Sequence, residues 1–150
     1  MKIYRARRKQ LGVGKRLPVT PDELIKMNEK FQKLPSGEKF LVSNAKLDEY
    51  SVVLVFMCEF GQRILTNSSH WFMDGTFSTV PETFSQLYTI FGSGGCGGKI
   101  FRVAYLLLPN KKGSTYDHAF YEIKNLLNYS PSAIFIDFES SACFGCCQSL

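Results

Sequence analysis

The sequence predicts an α/β domain: a three-stranded antiparallel meander, then a crossover helix and a strand parallel to the first, with a helical extension ahead of them. Three observations carry this. Residues 69–109 hold three aromatic and aliphatic runs, "HWFMDGTF", "FSQLYTIFG" and "KIFRVAYLLLP", separated by "STVPET" and "GSGGCGG". After Pro109 the period changes, and Tyr116, Ala119, Phe120, Ile123, Leu126 and Leu127 recur on one helical face. Finally "SAIFIDFES" is a short, almost wholly apolar run ending in two acids, the composition of a buried parallel strand.

Taken in order, the chain opens on a basic arm, residues 1–18. Residues 1–16 hold Lys2, Arg5, Arg7, Arg8, Lys9, Lys15 and Arg16, seven of the eighteen basic residues, and no acid. The remainder carries eleven basic against thirteen acidic residues, a net of −2, so the +5 of the whole chain resides in the arm. A basic arm on a mildly acidic body is a footprint for nucleic acid or an import signal; a solvated tail is the alternative. The opening run leads into no apolar core of a signal peptide, so no secretory leader is expected.

Residues 19–49 form the helical extension. In "TPDELIKMNEKFQKLPSG", Thr20 is placed to cap, Pro21 occupies the first helical position and Glu23 completes a capping box. Leu24, Met27, Phe31 and Leu34 recur at helical spacing until Pro35 to Gly37 end the pattern. "SVVLVFM" then reads as a short buried strand, and "CEFGQRILTNSS" as about two helical turns. Pro81 fits only the turn between the first two meander strands, and the glycine-rich stretch is a loop between the second and third. Ser114 with Asp117 is the expected start of the crossover helix, and Pro131 closes it.

Composition bounds the function. A chain of 150 residues fits one domain with one core. Its 45% apolar and 14% aromatic content excludes a disordered chain. The longest apolar runs, "VVLVFMC" and "VAYLLLP", are too short to span a bilayer, so a soluble protein is expected with no membrane partner. Five cysteines, three of them crowded at the end, point to a reducing compartment rather than a disulfide framework.

The chemistry turns on "SHWFMDGTF". An Asp-Gly pair between apolar residues is a strong hairpin signal, and taken alone Asp74-Gly75 reads as a tight turn. The run ending in Asp137 supplies a second reading. If the first and last strands of the predicted order are neighbours, Asp74 and Asp137 face one another, with Glu139 two residues on. Two carboxylates held close repel unless a cation lies between them, which implies Mg²⁺ or Mn²⁺. The turn then falls later, at "STVPET".

The run "SSHWFMDGTFSTVPETFSQLYTIFG", then "VAYLLLPNKKGSTYDHAFYEIKNLL", then "AIFIDFESSA" resembles the transposase domain of Mutator-like elements, the MULE family. The resemblance covers residues 50–142 and rests on "DGTF", "QLYTI", "LLPN" and "DFE" in that order. It implies a ribonuclease H-like fold and an acidic triad that binds two divalent metals for DNA strand cleavage and transfer. Asp74 of "DGTF" matches the first acid and Asp137 of "DFE" the second. The partners implied are transposon ends and target DNA, and the compartment implied is the nucleus. The third acid, a Glu on a later helix, is expected well beyond Asp137, whereas "SSACFGCCQSL" holds no acid. The sequence expectation is therefore a C-terminally truncated domain, here a partial ribonuclease H-like fold, inactive in strand transfer by itself. The alternative is a non-catalytic nucleic-acid-binding remnant in which Arg5, Arg7, Arg8, Lys9, Lys15 and Arg16 contact phosphates.

Other constellations carry less. "GSGGCGGKI" departs from the phosphate-loop pattern at Ser93 and Ile100. In the tail, residues 143–150, Cys143 and Cys146 have metal-like spacing but no second pair. His70 and His118 lack a nucleophile partner and are assigned to packing or solvent. No small-molecule substrate is evident. Trp71, Phe72, Phe77, Phe84 and Tyr88 are assigned mostly to the core, with base stacking as the alternative.

Overall fold

The computed structural model describes residues 32–77, 80, 83–94 and 97–136. Its elements are β1 (Leu41–Lys46), β2 (Val52–Met57), α1 (Glu59–Thr66), β3 (His70–Thr76), β4 (Gln86–Gly94), β5 (Lys99–Leu108), α2 (Gly113–Leu127) and β6 (Ala133–Ile136). The basic arm, the helix start at Thr20, Pro81 and the cysteine tail lie outside the described residues.

All six strands join one mixed sheet in the order β1-β2-β5-β4-β3-β6. β3, β4 and β5 form the antiparallel meander, and α2 returns the chain so that β6 runs parallel to β3. Two strands extend this unit beyond β5, and β1 falls inside the stretch read as a helical extension. The sequence signal was weak there because "LVSNAK" is only partly apolar, and in β1 only Leu41 is buried.

Alternation along the strands sorts side chains between two faces. Val53, Val55, Met57, Trp71, Met73, Tyr88, Ile90, Leu106 and Leu108 point to the face on which α2 lays Tyr116, Ala119, Phe120, Ile123 and Leu127, and this is the main core. A smaller cluster of Leu41, Val52, Leu54 and Phe84, with Phe56 and Leu107 against it, lies on the opposite face. β2 is buried at every position but Phe56 because it feeds both clusters, as its β-branched composition implies.

Local chemistry fixes the helix ends. The Cys58 thiol accepts from the Gly61 amide at 3.4 Å and caps α1, with Glu59 in the first turn and Arg63 in the last, each favourable to the helix dipole. The expected Ser114–Asp117 start of α2 does not form. Lys112 is the N-cap without a side-chain bond, and Oδ1 of the Asn110 side chain instead accepts from the Lys112 amide (3.0 Å) and the Thr115 hydroxyl (2.7 Å). α2 ends before Pro131, at Asn128 in the left-handed conformation (φ 47°), whose amide donates to the Lys124 carbonyl. Leu126, assigned from its spacing to the buried face, is 40% exposed. Gly97 and Gly98, both at positive φ, make the β4–β5 turn, which accounts for glycines that superficially resemble a phosphate loop.

Candidate functional site

β3 positions the site. Trp71 and Met73 face the main core, and the Trp71 indole N–H donates to the Leu65 carbonyl at 3.1 Å, tying the strand to α1. The intervening residues His70, Phe72 and Asp74 therefore face the other way. Asp74 is exposed, sits inside the strand and pairs with Thr89 of β4, while Gly75 pairs with Tyr88. Asp74-Gly75 is consequently not a hairpin turn. β3 continues to Thr76 and β4 begins at Gln86, so the connection falls in 77–85, where "STVPET" lies.

The register on the other side of β3 bears on Asp137. His70, Trp71, Phe72 and Met73 pair in parallel with Ala133, Ile134, Phe135 and Ile136. The ladder is anchored at its start, where the Ser69 carbonyl accepts from the amides of Ser132 (2.8 Å) and Ala133 (3.1 Å). The Tyr129 hydroxyl adds a bond to the Ser68 carbonyl at 3.1 Å. Asp137 follows Ile136 in the sequence and lies outside the described residues, as do Glu139, Arg5, Arg7, Arg8, Lys9, Lys15 and Arg16. β6 is parallel as expected, but among the described residues it pairs with β3 alone, at an edge of the sheet rather than as a buried strand, and Phe135 is 52% exposed.

Beside Asp74 the registers align a second group that sequence reasoning did not assemble. Phe135 pairs with Phe72, Phe72 with Phe91, and Phe91 with Arg102, so four strands contribute one lateral row on the Asp74 face. The Phe72 and Phe135 rings stack with centroids 5.0 Å apart and planes 16° from parallel. His70, exposed and bonded through Nδ1 to the Ser69 hydroxyl at 2.8 Å, stacks on Phe135 at 6.0 Å. At the other end the Arg102 guanidinium carbon lies 5.8 Å from the Phe91 centroid. Among the described residues no helix packs on this row. The signal that would have found it is the odd parity of Phe72 against Trp71 and Met73, read together with strand order.

Compared with protein-family models, curated proteins and solved structures, the chain matches none of them.

The remaining candidates resolve as ordinary structure. Trp71, Tyr88 and Phe84 are core, whereas Phe77 is 44% exposed with the Lys111 ammonium 3.4 Å from its ring centroid. Ser68 is buried; its hydroxyl donates to the His70 carbonyl and accepts from the Ser93 amide, holding the start of β3 to β4. His118 is half-buried, and its Nε2 has no hydrogen-bond partner. Among the described residues no three His, Cys, Asp or Glu side chains gather into a metal-binding group, and no helix is long and apolar enough to cross a membrane. Asp74 itself is a hard oxygen donor on a rigid strand, the kind of ligand Mg²⁺ and Mn²⁺ prefer. The described residues thus supply one suitable ligand, and the sequence supplies the next acid directly after β6.

Proposed function

We propose that this chain carries the first two acids of a ribonuclease H-like, metal-dependent DNA-processing centre of the Mutator-like transposase type. The observation that supports the reading is the β3–β6 register: Met73 pairs with Ile136, and the next residue of each chain segment is an aspartate. The β3-β4-β5 meander, crossover helix α2 and parallel β6 also have the order expected of that fold. Asp74 and Asp137 would hold the cation. When bound, a divalent cation supplies charge neutralisation at the oxygens of a phosphodiester undergoing in-line displacement. The protein's part is to hold Asp74 in a strand paired on both sides, so that the carboxylate is fixed rather than borne on a mobile loop. The reading commits to cation binding by Asp74 and Asp137 and assigns no third acid.

Calorimetric titration of the full chain with Mn²⁺ tests it. One weak site is expected, absent in both Asp74→Asn and Asp137→Asn. Binding that either variant retains at wild-type affinity, or no binding to the wild type, would rule the reading out.

A second reading is favoured by the charge pattern: seven basic residues and no acid in residues 1–16 make a phosphate-binding arm without any catalysis. Each phosphate contact steepens the dependence of log affinity on log salt by about 0.9 on duplex DNA. Deleting residues 1–16 should therefore flatten the salt dependence, and an unchanged slope would dismiss the arm as the binding element.

A further inference from the structure

We propose that residues 20–31, which lie outside the described residues, cover the Asp74 face of the sheet as a helix laid along the row Phe56–Tyr105–Thr89–Asp74. The basic arm ahead of them then leaves the domain beside Asp74. Both described helices pack on the other face: α1 through Leu65 and α2 through Tyr116, Phe120 and Ile123 join the core formed with Trp71 and Met73. The Asp74 face is nevertheless apolar across three central strands, with Phe56 of β2, Tyr105 and Leu107 of β5, and Leu87 and Phe91 of β4 half-buried on it. In an α/β domain helices cover both faces of such a sheet. The registers also lay out a lane across it. Phe56 pairs with Tyr105, Tyr105 with Thr89 and Thr89 with Asp74, and along β4 the short Thr89 side chain lies between those of Leu87 and Phe91.

The point at which the chain enters selects the occupant. Gln32 is the first described residue, and its carbonyl accepts from the Phe40 amide at 2.7 Å, while the Phe40 carbonyl accepts from the Met57 amide at 2.8 Å. The Phe40 ring meets Phe56 at 5.5 Å and Tyr105 at 6.4 Å, so the chain reaches the sheet at the β2 end of the row. Directly upstream, Leu24, Met27 and Phe31 recur at helical spacing behind the start signal of Thr20 and Pro21. Twelve helical residues extend about 18 Å, and the three strand spacings from β2 to β3 total about 14 Å. With the apolar stripe facing the sheet, Phe31 then falls over Phe56, Met27 over Tyr105 and Leu24 over Thr89, one strand short of Asp74. Residues 20–31 are close to charge balance, with Asp22, Glu23 and Glu29 against Lys26 and Lys30. The arm, with seven basic residues and no acid, does not suit an apolar face and is carried past it. Packing of this kind requires neither the cation nor Asp137, so it stands or falls separately from the metal reading.

Methyl NOE spectroscopy of the full chain, with methionine, leucine and threonine methyls labelled, tests it. The expected result is contact of the Met27 methyl with the Tyr105 ring and of a Leu24 methyl with the Thr89 methyl. Met27→Lys should abolish both contacts and shift the Tyr105 and Thr89 signals, while those of Phe120 and Ile123 on the other face stay in place. Should Met27→Lys lose its cooperative melt, the wild-type contacts alone decide. Leu24 and Met27 methyls that touch neither Tyr105 nor Thr89 would overturn the placement. So would unchanged Tyr105 and Thr89 signals in a folded Met27→Lys. Contacts found only between chains, in a sample mixing labelled and unlabelled protein, would assign the face to a second copy and overturn it as well.

Discussion

Met73 and Ile136 are direct partners in the parallel β3–β6 ladder, and in the sequence each is followed by an aspartate. Met73 itself is buried in the main core, so the pair is anchored from beneath by packing rather than by the acids that follow it. The strand that carries Asp74 draws its rigidity from the sheet, paired with β4 on one side and β6 on the other.

The packing account makes a paired prediction on α2. Phe120 is fully buried in the main core with the Tyr88 ring of β4 beside it, and Phe120→Ala should cost about 3–5 kcal/mol by transfer and cavity formation. Leu126, which shares the helical spacing but is 40% exposed, should cost within about 0.5 kcal/mol as Leu126→Ala. Urea denaturation measures both, and similar losses at the two positions would contradict the assigned helix face.

Gly61 marks the closest approach of α1 to the sheet. A Cβ there would lie 2.5 Å from the Val103 carbonyl oxygen, a backbone atom of β5 at its register shift opposite Ile90 and Phe91, and 3.1 Å from the Met57 side chain. Gly61→Ala should therefore destabilise by about 1–3 kcal/mol despite the gain in helix propensity. A melting temperature at or above wild type would show that α1 sits farther from β5.

The β1–β2 turn contains the carboxylate of Asp48, which accepts from the Tyr50 amide at 2.7 Å. That bond holds its pKa below the ordinary 3.8, ahead of smaller contributions from Ser51 and Lys112. Because the folded value is depressed, the stabilisation is present above pH 3.8 and is lost as pH falls through the folded value. In an NMR titration the Asp48 carboxyl should have its midpoint below 3.8, and Asp48→Asn should flatten the acid limb of the stability profile. A midpoint above 3.8 would mean that the turn opens in solution.

How much of this was legible in the sequence differs by residue. The three meander strands, the crossover helix and the parallel return were readable because each has one dominant period and is bounded by proline, glycine or polar runs. That Asp74 lies in a strand followed from "AIFID" supplying β3 with a neighbour, not from its own surroundings. β1 was not readable, since Ser43, Asn44 and Lys46 hide its alternation and its partner β2 is what makes it a strand. Asn110 as the organiser of the α2 start was masked by a better-looking Ser114–Asp117 pair. The aromatic row was invisible because its members are 72, 91, 102 and 135, separated in the chain and joined only by register. Periodicity reveals faces, while strand order decides which faces meet.

The central claim is that Asp74 and Asp137 share one divalent cation. The most direct test is paramagnetic broadening of backbone amide signals by substoichiometric Mn²⁺ in the ¹⁵N-labelled full chain. The account predicts selective loss of the Asp74, Gly75 and Asp137 signals, with Thr89 across the ladder next, and no such loss in Asp74→Asn. Broadening confined to other acids, such as Asp48 and Glu49 in the β1–β2 turn, or unchanged in Asp74→Asn, would contradict it.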